Sequence, residues 1–225
     1  MNADLPLFGP AHLAILAAVP ALAAALAVAA RRRPATRRPI RYALGIFLLL
    51  NEVVWYIYQV RHGYLRFPGE LPRQLCDLAV WLAALAALSS SAWCFDLVWY
   101  WGLSGAGMAL LTPDLWTPFP SYLAIAFFVS HGGVVATVLF LAWSGQARPR
   151  PGSLWRAFIA VNGIAAAIGV FDAIFRTNYF YLRQKPLHAS ALDLLGPWPL
   201  YILLAEPLVL LLFWILWLPF RHADG

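Results

Sequence analysis

Seven stretches of this chain run for about 20 residues with almost no charge, long enough to cross a bilayer core of roughly 30 Å. They fall at 10–30, 40–61, 71–89, 92–111, 120–143, 154–176 and 198–219. Lipid offers a peptide group no hydrogen-bond partner, so such runs are expected to be helices that satisfy their own backbone. Together with their short connections they use up the 225 residues. The expected fold is therefore all-α, one polytopic transmembrane bundle spanning 1–225. Composition agrees. The chain is 62% hydrophobic and 12% charged, and a soluble domain carries roughly twice that charge fraction.

The net charge of +6 is clustered in a way that excludes a nucleic-acid partner. Arg31, Arg32, Arg33, Arg37, Arg38 and Arg41 share one short loop between two apolar runs. Arginine-rich short loops stay on the cytoplasmic side of a membrane. The N-terminus is then expected outside and the C-terminus in the cytoplasm. Arg148, Arg150, Arg156 and Arg221 fall on the same side, ten of the sixteen basic residues in all. Contact with membrane phospholipids is the natural use of such a face. The basic cluster follows the first apolar run, the reverse of a secretory signal, so residues 1–30 are read as a retained span. The location expected is a cell membrane, multi-pass, of bacterial inner or plasma type. Cys76 and Cys94 are assigned to opposite faces and are not expected to pair. There is no phosphate loop, haem motif, metal motif or other cofactor signature, and no internal repeat of the kind seen in inverted-repeat transporters.

Ionisable residues inside a span are costly and mark function or helix association. Glu52, Asp77, Asp96, His131, Asp172 and Glu206 qualify. At about 1.5 Å per residue, all but Asp96 fall in the outer half of the bilayer or at its midplane. One shared polar cavity opening outward explains that grouping. Plainer readings exist for several. Asp77 follows Arg73 by four positions, and Asp172 precedes Arg176 by four, so each aspartate is matched to an arginine one turn away. Asp96, near an inner boundary, is read as wetted by the interface. Gly102, Gly105, Ala106 and Gly107 suggest a close helix contact, and Pro207 a bend. In the long connection 177–197, Ser190–Asp193 reads as a short helical turn.

Arg73, Cys76 and Asp77 share one helical face. A guanidinium beside a thiol favours thiolate. Cys76 with His131 would make a nucleophile and its base.

LPRQLCDLAVWL (71–82), FFVSHGG (127–133) and TNYFYLRQKPLHASALDLLGPWPLYI (177–202) resemble the YwaF-type family of bacterial integral membrane proteins. FGPAHL (8–13) and NEVVWYIY (51–58) fit the same pattern, so the resemblance covers essentially the whole chain. That family is similar to a eukaryotic transmembrane phospholipid acyltransferase, which moves acyl chains between phospholipids through an essential cysteine. The resemblance implies that Cys76 occupies the cysteine position and that His131 partners it. Glu52, Arg73, Gln74, Asp77, Asp172, Asn178 and Glu206 would then orient the histidine or bind the headgroup. One departure stands out. The family often reads LPLHLC, and Arg73-Gln74 stands here where the histidine would be. Gln74 hydrogen-bonds but takes up no proton at neutral pH. A non-enzymatic transporter, channel or binding protein using the same cavity is the competing reading.

The arginine asymmetry makes a topology prediction. A cysteine introduced at Ala35 should resist an impermeant thiol reagent in intact cells, and one at Ala189 should react; the opposite labelling would reverse the orientation.

Overall fold

The structure, a computed structural model, describes residues 5–69, 75–115, 117–186 and 190–221. All regular structure among them is helical. Helix α1 is Pro10–Arg32, opened by a proline whose missing N–H would be unsatisfied there anyway. A 3₁₀ turn, Pro34–Thr36, leads into α2, Arg37–Arg61. Helix α3 is Leu75–Ser89 and α4 is Ala92–Leu111, which contains a π turn at Gly102–Ala106. Helix α5, Tyr122–Trp143, is capped by the Ser121 hydroxyl, which accepts from the Ala124 amide. Helices α6, Ser153–Phe175, and α7, Leu200–Trp217, complete the bundle.

Six of the helices, all but α3, are long and apolar enough to span a membrane. The chain is thus a multi-pass helical membrane protein. Helix α3 has fifteen described residues, about 22 Å of rise. The start of its expected run, 71–74, lies outside the described residues.

Helix α5 is the central post. It packs against α1, α2, α3 and α4. More than half of its most apolar window, 56%, is buried, against 6% for α6. The two glycines after His131 explain how close the neighbours come. A Cβ on Gly132 would meet Val19 of α1 at 3.0 Å, and one on Gly133 would meet Leu48 of α2 at 2.9 Å. Helix α3 lies inside the bundle on a face of Ala79, Ala83, Ala86 and Ala87. Small residues let backbones approach, the usual device where the hydrophobic effect no longer drives association. The small-residue contact expected on α4 reduces to Gly102 and Ala106, which are buried. A Cβ on Gly107 would meet nothing, and one on Gly105 only Leu75, at 3.8 Å.

Helices α6 and α7 are peripheral. Ile159, Val170, Ile174 and Leu203 are exposed on them, as suits a surface solvated by acyl chains rather than water. Helix α7 continues through Pro207, which lines a groove of about 510 Å³ with Trp155, Leu210 and Trp214.

Two buried polar residues tie the bundle together. His12 is fully buried. Its Nδ1 accepts from the Phe8 amide at 2.9 Å, and its Nε2 donates to the Leu110 carbonyl at 2.8 Å. These partners define a neutral ring and join the start of α1 to the end of α4. Asp96 corrects an expectation. It is not wetted by the interface but fully buried. Its Oδ1 accepts from the Arg150 amide at 3.0 Å, and Oδ2 from the Arg150 and Arg156 guanidiniums at 2.8 and 3.0 Å. Both guanidiniums also lie over the Trp93 ring. The loop between α5 and α6 is thereby clamped to α4, a pairing invisible in sequence because the partners lie 54 and 60 residues away.

Asp96→Ala should lower stability by roughly 1–3 kcal/mol, the range for leaving buried hydrogen-bonding groups unmet. That is below the value for a fully buried pair, because the two arginine side chains remain 36% and 33% exposed. Thermal unfolding in detergent measures it, and an unchanged midpoint would show that the clamp carries no weight.

Candidate functional site

The α2–α3 seam gathers the first group of candidates. Glu52 is buried, at 2% exposure. One turn further along α2, the Tyr56 hydroxyl faces its carboxylate. That hydroxyl also accepts from the Trp81 indole of α3 at 3.4 Å, and the two rings stack. Asp77, in the first turn of α3, brings a second carboxylate within electrostatic range of Glu52. Cys76 is half-buried with a free thiol and has both Asp77 and Glu52 as charged neighbours. One Glu52 oxygen, Oε1, is buried without a hydrogen-bond partner. The site therefore holds a thiol, two carboxyl groups and a phenol on two packed helices. Across from it, the π turn of α4 approaches through Gly105, whose missing Cβ faces Leu75, the neighbour of Cys76. Wide turns of this kind recur at functional sites.

The long connection after α6 brings a further group into range of this site. Its backbone is left-handed at Arg176, Phe180 and Tyr181, with φ of 57°, 55° and 54°. Such geometry costs about 1–3 kcal/mol per residue and persists only where surroundings impose it. The surroundings are identifiable. Asp172 is fully buried and its Oδ1 accepts from the Thr177 hydroxyl at 2.6 Å and the Tyr179 amide at 3.1 Å. The expected Asp172–Arg176 pair does not form: the carboxylate caps the loop, because the chain leaves α6 through a left-handed Arg176. Asn178 acts in the same way. Its Oδ1 accepts from the Arg183 and Gln184 amides, and its Nδ2 donates to the Gln184 carbonyl. The Tyr179 hydroxyl donates to Pro68, the Trp198 indole to Leu182, and the Tyr201 hydroxyl to Tyr181. Ser190–Asp193 forms the expected turn within Ala191–Leu195, with the Asp193 carboxylate accepting from the Ser190 amide at 2.8 Å.

So fixed, Tyr181 comes within electrostatic range of Cys76 and Asp114. Burial raises its phenol above the ordinary tyrosine range, and those two groups add in the same direction. Its hydroxyl therefore stays protonated and available as a donor.

The remaining candidates are placed differently. His131 is buried on α5. Its Nδ1 donates to the Phe127 carbonyl at 2.8 Å, which leaves Nε2 as the lone-pair nitrogen. No hydrogen bond joins it to Cys76 among the described residues. Glu206 is half-buried on peripheral α7 and has no partner among those residues. Arg73 and Gln74 lie outside the described residues, and with them the Arg73–Asp77 pair. No three His, Cys, Asp or Glu side chains among the described residues come together as a metal site. Tyr56, Trp81 and Tyr181 are additions that sequence alone did not single out. Tyr56 and Trp81 each stand four residues after a candidate acid, which is a readable signal. Tyr181 has none, since its position depends on the clamped loop.

Comparison with known proteins places the chain. It belongs to the TMEM164 family, whose model matches residues 7–217. An uncharacterized protein of Treponema pallidum (strain Nichols) is 28% identical over 156 residues, covering 69% of this chain. The match spans 64% of that relative's own length. No solved structure matches.

Proximity of Tyr181 to Cys76 can be tested. Tyr181→Ala should raise the rate of Cys76 alkylation by a maleimide in detergent several-fold, with Cys94 as internal reference. An equal change at both cysteines would indicate general loosening instead.

Proposed function

We propose that this TMEM164-family membrane protein is a cysteine-dependent phospholipid acyltransferase or lipid hydrolase, with its site in the outward half of a bacterial inner or plasma membrane. The observation that carries the reading is Cys76 at a seam with Glu52, Tyr56 and Asp77, with Tyr181 within electrostatic range. The resemblance of 71–82, 127–133 and 177–202 to the YwaF-type family supports it.

In this reading the Cys76 sulfur attacks a phospholipid ester carbonyl. The carbon–sulfur bond forms, the ester carbon–oxygen bond breaks, and the lysophospholipid leaves with the thiol proton. His131 Nε2 relays that proton, since Gln74 offers no base. The protonated Tyr181 hydroxyl is a donor for the developing oxyanion. A second lysophospholipid hydroxyl then attacks the thioester and loses its proton, which regenerates Cys76; water in that role makes the protein a hydrolase. Glu52, Asp77 and Glu206, with Arg73 and Gln74, orient the base or meet the headgroup. Asp172 and Asn178 act through the loop they hold. A site within the bilayer admits an acyl chain sideways from lipid.

One observation favours a second reading. The buried, unpartnered Glu52 oxygen suits a proton or cation site in a transporter or channel. Charge-linked flux into liposomes would support it.

The deciding experiment uses liposomes with isotopically labelled acyl chains and protein carrying Cys76→Ala, Cys94→Ala or neither. A hydroxylamine-sensitive acyl adduct should appear by mass spectrometry on Cys76 and survive in Cys94→Ala. His131→Ala should slow transfer by about 10²–10⁴-fold, the range for a lost general base. Full transfer in Cys76→Ala would end the thiol mechanism.

A further inference from the structure

At the opposite end of α3, about 20 Å from Cys76 by helix rise, the bundle has a second polar feature that plays no part in the proposed chemistry. A cavity of about 90 Å³ opens between α2, the α3–α4 junction and the loop after α5. Its wall includes Arg41, Ser90, Ser91, Ala92, Gln146 and Arg148.

The charged side chains of this wall are both arginines. Arg41 has one guanidinium nitrogen on the Ser90 hydroxyl, while its Nε is buried with no partner. Arg148 is exposed and has no partner among the described residues. Ser91 accepts from the Cys94 amide, which leaves its own hydroxyl proton free to donate. Ser91 is also the N-cap of α4, so the amides of Ala92 and Trp93 precede any acceptor within the helix. The positive end of the helix dipole points the same way. Ser90 is held at φ 57°, a left-handed turn that keeps this corner tight. Acceptors of negative charge are missing: the segments 31–41, 89–91 and 144–152 contain no aspartate or glutamate. The nearest carboxylate along the chain, Asp96, is already matched by Arg150 and Arg156.

A buried guanidinium N–H without an acceptor is expensive, and two arginines converging with a helix N-terminus form an anion site. We infer that this corner binds a phosphate group, presented either by an anionic lipid headgroup or as free phosphate. The cavity is small, and its donors approach from three segments of the chain. That favours a compact oxyanion with several acceptor oxygens over a planar carboxylate. The site is independent of the Cys76 chemistry, and it gives the Arg31–Arg41 cluster one defined seat in place of a diffuse field.

The test uses the full-length protein in neutral detergent, with thermal unfolding and Trp93-sensitive fluorescence as readouts. One arm adds inorganic phosphate and the other a short-chain phosphatidic acid below its micelle concentration, each against chloride at matched ionic strength. Saturable stabilisation in both arms supports the site and shows that phosphate alone suffices. Saturation in the lipid arm only supports it and assigns the source to the headgroup. Arg41→Gln with Arg148→Gln should weaken the midpoint about tenfold or more, as expected for lost charge-assisted hydrogen bonds. Arg148→Gln alone should do so in part, and serves if the double variant does not fold. Arg31→Gln with Arg38→Gln, which removes the same charge from the same cluster outside the cavity wall, should leave the midpoint nearly unchanged. No saturation in either arm, or equal weakening by the two double variants, would overturn the site.

Discussion

A bilayer core supplies no water to a polar group, so a buried donor or acceptor in this chain is costly unless protein meets it. Backbone groups meet the requirement within their own helices. Some side chains, His131 among them, bond a carbonyl one turn back in their own helix; others reach across the fold, and those reaches hold the bundle in register. His12 joins the start of α1 to a carbonyl 98 residues away. Asp96 gathers two arginines and an amide from the loop after α5 and the start of α6. Asp172 satisfies the chain where it turns out of α6. Apolar packing alone would leave these helices free to slide, because lipid tails are as good a neighbour as leucine.

Within that frame, helix α3 is unusual in being alanine-rich and central. Its two ends meet two different chemistries. The Cys76 end faces carboxyl groups and phenols. The Ser90 end faces arginines and the positive terminus of α4. Small side chains along α3 let α2 and α4 approach closely, and that approach brings Glu52 and Tyr56 against Cys76 and Trp81.

The described part of the connection that follows α6 is held by specific hydrogen bonds rather than left slack. Three left-handed residues would be unfavourable in isolation. Asp172 and Asn178 together accept four hydrogen bonds that impose them. The outcome is one phenol, Tyr181, brought within electrostatic range of Cys76 from more than a hundred residues further along the chain.

Helix positions were legible from sequence because hydropathy is a local property and a spanning helix must be continuously apolar. Six of the seven expected segments match to within three residues at either end. The ionisable residues Glu52, Asp77 and His131 were likewise readable as exceptions to that pattern. The fates of the aspartates were not. Asp96 and Asp172 look alike beside their apolar neighbours, and spacing alone assigned Asp172 the wrong partner. Their real partners depend on which loop folds back on which helix. Family resemblance could flag the 177–202 stretch, but not which of its aromatics comes within range of Cys76. That choice rests on backbone dihedrals set by hydrogen bonds from elsewhere in the chain. Sequence by itself determined that the chain is a multi-pass helical bundle with polar residues inside it, because the cost of exposing polar groups to lipid is paid residue by residue. The tertiary structure alone decided which of those residues meet, because a hydrogen bond is short and directional and depends on how distant helices and loops are finally placed.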